Sequence, residues 1–181
     1  MTKKKNIFAI NGSASKNSSN LAFINQIIDL MKDDFDFTVF NDLTKLPHFQ
    51  TELTDDNTPN DIVKFRNSIL NADAILISTP EYVFSIPSGL KNVIEWCVST
   101  TVFSNKPIGL ITASAGGEKG HEELKLIMKT VERKFTEDTT LLIQGVRGKI
   151  DREGNVLNKK TENDLIKFVK SFSELIKETS T

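Results

Sequence analysis

Short apolar runs alternate with segments of helical periodicity along the chain, and this alternation restricts the fold more than any other feature. Ile7-Phe8-Ala9-Ile10 is an apolar run that ends at Asn11-Gly12. Leu21, Ile24, Ile28 and Met31 then fall on one helical face, and Phe35, Phe37 and Val39 alternate as a strand does. Thr58-Pro59 reads as an N-cap followed by proline at the first helical position, with Ile62, Phe65 and Ile69 continuing at helical spacing. Ala74-Ile75-Leu76-Ile77 is a continuous apolar run, as expected of a strand covered on both faces. Pro87 opens a helix carrying Leu90, Ile94 and Cys97. Ile108-Gly109-Leu110-Ile111 is a further buried-type strand, followed by the helical stripe Leu124, Ile127, Met128 and Val131. Leu141-Leu142-Ile143 gives a fifth strand, and Asp151-Arg152-Glu153-Gly154 reads as a turn. Thr161 is the expected cap of a last helix with the stripe Leu165, Phe168, Val169, Phe172, Leu175 and Ile176.

Five strands alternating with five helices imply an α/β three-layer sandwich, a parallel sheet with helices on both faces. The flavodoxin-like strand order 2-1-3-4-5 suits five strands better than the six-stranded dinucleotide fold. The 181 residues suit one domain, taken as 1–181, and no repeat, linker or low-complexity tract interrupts it. In such sheets ligands bind beyond the C-terminal ends of the strands, so chemistry is expected after Ile10, Ser78 and Ala113.

The loop from Asn11 to Asn20 joins the first strand to the first helix and is rich in hydroxyls and amides that can donate to phosphate oxygens. It has neither G-x-G-x-x-G nor a P-loop, so a single phosphate monoester is the better-fitting anion. Equally, its Ser and Asn residues can serve only as a cap and a turn. The loop Pro80-Glu81-Tyr82-Val83-Phe84-Ser85-Ile86-Pro87 is stiffened by two prolines and carries the chain's single tyrosine. A rigid, partly apolar rim of this kind suits a flat ring, and it can also be a stiff connection with packing aromatics. In Ser114-Ala115-Gly116-Gly117-Glu118-Lys119-Gly120, adjacent glycines permit close backbone approach to a ligand, or simply a flexible turn. Topology brings all three loops to one edge of the sheet.

These residues resemble the NADPH-dependent FMN reductase family, with its quinone and azo-compound reductases. The family's phosphate loop has the form G-S-x-R-x-x-S-x-N; Gly12, Ser13, Ser18 and Asn20 match it, while Ser15 stands where the family prefers arginine. A longer motif resembles P-E-Y-N-x-S-I-P-x-x-L-K-N-x-I-D-W. Pro80, Glu81, Tyr82, Ser85, Ile86, Pro87, Leu90, Lys91, Asn92, Ile94 and Trp96 match it in register, with Glu95 for aspartate and Val83-Phe84 for the usual Asn and Gly. Ser114, Gly116 and Gly117 resemble the third flavin loop. Asp42-Leu43, Leu46-Pro47 and Ala72-Asp73-Ala74 also look like family positions.

The resemblance implies bound FMN, with phosphate at Ser13, Ser18 and Asn20 and further contacts from Ser15, Ser19 and Lys16. It implies that Pro80, Glu81, Tyr82 and Val83, with Ser114, Gly116 and Gly117, border the isoalloxazine. NAD(P)H is the implied co-substrate, and a quinone, azo or nitro compound, metal ion or free flavin the acceptor. A homodimer or dimer of dimers is implied, with Phe84, Trp96 and the helix between them near a partner chain. The chemistry belongs to the flavin, so no catalytic side chain and no metal is expected.

Charge and composition narrow the rivals. A net charge of -1 gives no reason to expect nucleic acid or an anionic membrane, and argues against the alternative of a non-enzymatic flavodoxin-type electron carrier, which usually has a strongly acidic face. A receiver domain of the same fold needs an acidic pair where Asn11-Gly12 stands. His48 and His121 read as lone surface histidines, Cys97 as core, and Glu81 as a structural hydrogen-bond partner. With one cysteine, no visible secretory signal and no apolar run of membrane length, the cytoplasm is the expected compartment.

Overall fold

The computed structural model describes residues 3–15, 17–54, 57–131, 134–151 and 153–179. Strands β1 (Lys5–Asn11), β2 (Phe35–Phe40), β3 (Ala74–Thr79), β4 (Ile108–Ala113) and β5 (Thr140–Ile143) alternate with helices α1 (Ser19–Met31), α2 (Asn60–Leu70), α3 (Ser88–Glu95), α4 (Glu118–Val131) and α5 (Lys159–Glu178). All strand pairs are parallel and the order is β2-β1-β3-β4-β5, as the apolar pattern implied.

Parity along the strands sorts the core into two layers. Phe8, Ile10, Ile75, Ile77, Ile108 and Leu110 face α2, α3 and α4. Ile7, Ala9, Ala74, Leu76 and Ile111 face α1 and α5. Every residue of β3 and β4 is buried, which explains their unbroken apolar runs. Gly109 leaves room for α5, since a Cβ there would come within 2.8 Å of the Phe168 ring.

The chain leaves β1 toward β2 over one face and returns to β3 over the other, as right-handed crossovers require. The strand order therefore reverses between β1 and β3, whose last paired residues are Asn11 and Ser78. A crevice at this switch point is where the fold places ligands.

Three helix starts differ from the sequence expectation. Pro59, not Thr58, occupies the N-cap of α2, and the Thr58 hydroxyl donates to the Leu53 and Thr54 carbonyls instead. Pro87 likewise caps α3 with an extended ψ of 141°, and the helix begins at Ser88. Helix α5 begins at Lys159, where Asn158 Oδ1 accepts the Thr161 N–H at 2.9 Å and its hydroxyl at 3.1 Å. Its first turn, Lys159-Lys160, carries no apolar residue, so the stripe concealed it. The expected turn at 151–154 includes Arg152, which lies outside the described residues.

Trp96 offers no surface of its own to a partner chain, because it is 0% exposed within this chain. Its Nε1–H donates to the Pro47 carbonyl at 2.8 Å, and Phe49 meets it edge-on at 5.3 Å. Cys97 is core as expected, and burial pushes its thiol up to about 12. No helix among the described residues is long and apolar enough to cross a membrane.

Candidate functional site

Loop 1 (residues 11–18) leaves β1 beside the end of β3. The Gly12 N–H donates to the Ser78 carbonyl at 2.8 Å, and a Cβ on Gly12 would come within 2.6 Å of Thr79 Oγ1. Only glycine lets this loop lie so close to β3. Asn11 organises the rest of the loop: its Oδ1 accepts the Ser13 N–H at 3.2 Å and the Ser18 hydroxyl at 3.3 Å. Ser18 caps α1 by accepting the Leu21 N–H at 3.1 Å.

The predicted phosphate residues divide into two groups. Ser13 is 6% exposed, and its hydroxyl accepts the Ser15 N–H at 3.1 Å and lies 3.3 Å from the Tyr82 hydroxyl. Ser15 is exposed, and Ser18 and Ser19 are half-buried at the start of α1. Asn20 turns inward: its Nδ2 donates to the Ala113 carbonyl at 3.1 Å, and its Oδ1 accepts the Ser78 hydroxyl at 3.0 Å. That side chain ties α1 to the ends of β3 and β4. Lys16 lies outside the described residues.

Loop 2 (residues 80–87) begins at buried Pro80 and makes a two-residue reversal. The Tyr82 N–H donates to the Ser85 carbonyl at 2.9 Å, and the Ser85 N–H returns to the Tyr82 carbonyl at 3.1 Å. Val83 and Phe84 form the tip at φ 51° and 59°, a conformation suited to Asn-Gly and unusual for a β-branched residue. They are 94% and 78% exposed. Left-handed backbone costs an L-residue roughly 1–2 kcal/mol. Val83→Asn should therefore raise stability by about 1 kcal/mol, read as a higher urea midpoint at unchanged m-value. An unchanged or lower midpoint contradicts this account of the turn.

Two carboxylates fasten loop 2 to α4. Glu81 Oε2 accepts the Gly120 N–H at 2.8 Å, the structural role expected of it. Glu123 Oε2 accepts the Ser85 hydroxyl at 2.6 Å and the Ile86 N–H at 2.9 Å. Glu123 had no sequence signal, because it sits on a helix that reads as ordinary and exposed. Loop 3 (residues 114–117) holds half-buried Ser114, exposed Gly116 and buried Gly117 at φ 93°. All three loops meet at the C-terminal edge of β1, β3 and β4.

Beside loops 1 and 2 lies a cavity of about 320 Å³. Its far wall is the segment from Leu43 to His48, which the sequence pattern did not single out as part of the site. Asn92 and Trp96, four residues apart and thus on one face of the chain at α3, both hold that wall. Asn92 Nδ2 and Trp96 Nε1 donate to the same Pro47 carbonyl, while Asn92 Oδ1 accepts the Phe49 N–H at 2.7 Å.

His48 is exposed at the cavity, as a surface histidine should be, but His121 is not. It is half-buried, and its Nδ1 lies 2.9 Å from the hydroxyl of buried Thr112. Burial, reinforced by the Lys125 ammonium against weaker pull from Glu137 and Glu122, holds the imidazole below its ordinary 6.5. Between that lowered value and 6.5 the unfolded chain binds a proton that the folded chain refuses. Stability should fall as pH drops below 6.5 and stay level in this respect above it. His121→Gln should flatten that fall in urea unfolding; an equally steep fall in the variant would show that other groups cause it.

The donors suit a flavin mononucleotide. Hydroxyls and helix N–H groups cluster at loop 1, the first turn of α1 has no acidic residue to repel a phosphate, and a stiff aromatic rim adjoins them. Fold and site together define a flavodoxin-like mononucleotide-binding protein. The chain belongs to the NADPH-dependent FMN reductase family, whose model matches residues 5–145. It is similar to an NADPH:quinone oxidoreductase of Arabidopsis thaliana, 29% identical over 167 residues covering 88% of this chain and 85% of the relative. An NAD(P)H-dependent FMN reductase of Pseudomonas aeruginosa is 26% identical over 159 residues, covering 85% of each chain. Among solved structures, the NAD(P)H:acceptor oxidoreductase FerB of Paracoccus denitrificans aligns with TM-score 0.78 and 25% identity, covering 97% of this chain and 98% of that one. The protein is an enzyme of the NAD(P)H-dependent FMN and quinone reductase class, with FMN as its cofactor.

Proposed function

We propose that this enzyme passes electrons from NAD(P)H to a small acceptor by a ping-pong sequence, nicotinamide and acceptor using one space in turn. The acceptor is a quinone, azo or nitro compound, metal ion or free flavin. The carrying observation is the cavity of about 320 Å³ beside loops 1 and 2. That is near the lower end of small-ligand sites, roughly 300–1,000 Å³. Because Ser13 and Tyr82 line it, it suits the flavin ring itself, leaving one face of that ring for nicotinamide and acceptor to meet in turn. Bound FMN supplies the hydride-accepting and electron-donating chemistry.

The chain's own residues bind and orient. Ser13, Ser15, Ser18 and Ser19, with the first N–H groups of α1, hold the phosphate. Asn20 acts by fixing where α1 begins. Pro80, Glu81, Tyr82 and Val83 form one border of the ring, and Ser114, Gly116 and Gly117 the other. Glu81 and Glu123 keep the two borders at a fixed spacing. No side chain is required to act as acid, base or nucleophile.

Steady-state kinetics with a quinone acceptor test the sequence of events. Parallel double-reciprocal lines are expected. Intersecting lines would mean that both substrates are held at once, which overturns the shared space.

The whole chain is taken to act as one unit in the cytoplasm. A homodimer or dimer of dimers is supported by exposed Val83, Phe84 and Val98, which lie at or near the ends of the α3 segment. Sedimentation of the flavin-loaded protein checks the assembly, and a fully active monomer contradicts it.

A further inference from the structure

We propose that Arg147, in the turn after β5, supplies the positive charge that Ser15 withholds from the FMN phosphate. This rests on the reading of loop 1 as the phosphate loop. A phosphate dianion is best held by a guanidinium, which offers two parallel N–H donors. The family position for that arginine is Ser15 here, a neutral donor.

Three observations place Arg147 at the start of α1. First, Asn17, Ser18 and Ser19 share one open cleft with Arg147, which is the only Lys or Arg among the described residues that line it. Second, the start of α1 and the turn bearing Arg147 are tethered to neighbouring residues at the end of β4. Asn20 Nδ2 donates to the Ala113 carbonyl at 3.1 Å. The Val146 N–H donates to the Ser114 carbonyl at 3.2 Å, and the Gly145 N–H to that of Ala115 at 2.9 Å. Gly145, at φ 60°, makes the reversal, and Val146 packs against the α1–α5 core layer, so the backbone on either side of the turn is fixed.

Third, the guanidinium is exposed and has no hydrogen bond or ion pair among the described residues. The cleft also holds acidic residues, and two of the three are engaged. Asp151 accepts the Asn155 N–H at 2.7 Å and its Nδ2 at 2.9 Å, and Asp29 pairs with Lys32 at 3.1 Å. Glu153 is the remaining carboxylate of the cleft and the competitor for Arg147.

The assignment is tested by titrating flavin-free protein with FMN, and separately with riboflavin, at low and high salt, following flavin fluorescence. Riboflavin presents the same ring without the phosphate. Arg147→Gln should weaken FMN binding by about ten- to a hundredfold at low salt and reduce its salt dependence, leaving riboflavin binding unchanged. Ser15→Arg should raise FMN affinity more in that variant than in the parent, a coupling that a merely structural role for Arg147 would not produce. FMN binding equal to the parent's in Arg147→Gln overturns the assignment, and so does an equal loss of riboflavin. A loss confined to Lys16→Ala would transfer the role to loop 1. A parent that takes up neither flavin overturns the reading of the site itself, and the assignment with it.

Discussion

Truncating Trp96 to alanine is expected to lower the unfolding free energy by about 3–5 kcal/mol, the range for a large aromatic removed from a packed core. Trp96 is fully enclosed, it meets Phe49 edge-on, and its indole N–H is one of two donors on the Pro47 carbonyl. Arg66 Nε donates to the Trp96 carbonyl at 2.8 Å, tying the end of α3 to α2. The cavity wall from Leu43 to His48 should loosen in the same variant, so acceptor KM should rise in whatever fraction folds. Urea unfolding measures the main effect. A loss below about 1 kcal/mol, accompanied by dissociation of an oligomer, would return Trp96 to an interface.

Asn20→Ala is expected to cost about 2–4 kcal/mol even with no flavin present. The change strips partners from the Ser78 hydroxyl and the Ala113 carbonyl, both buried, and an unsatisfied buried polar group costs roughly 1–3 kcal/mol. Asn20→Asp should be no rescue, because a carboxylate accepts but cannot donate to a carbonyl. Thermal and urea unfolding of flavin-free protein decide the matter. Were the Asn20 side chain chiefly a phosphate ligand, flavin-free stability would stay near the parent's while FMN affinity fell.

The strand order was legible because β1, β3 and β4 are buried on both sides and write continuous apolar runs. The three loops were legible because an α/β sheet sends its strand ends to one edge. What could not be read was direction. An amphipathic stripe ending at Trp96 shows that one face is covered, and not whether the cover is this chain or another. Asn20 carries the same ambiguity, since an amide at a helix start can face a ligand or the sheet. Arg147 escaped because it lies 128 positions after Ser19 in the sequence and β5 stands three strands from β1; only the placement of the start of α1 over the end of β4 puts the two on one cleft. Helix starts were missed where polar residues led the helix, as at Lys159.

The paired carboxylates of Glu81 and Glu123 have a consequence for the entropy of binding. A loop that must be ordered by its ligand subtracts that ordering from the affinity. Here the rim residues Tyr82 and Ser85 bond to each other, and Glu81 and Glu123 lock the loop to the first turns of α4 before any flavin arrives. A flat ring docking there, as proposed, would meet a surface whose conformational freedom was surrendered during folding. Lifting loop 2 off α4 breaks both carboxylate ties, so hydrogen exchange at the Gly120 and Ile86 amides is expected to report one common opening free energy.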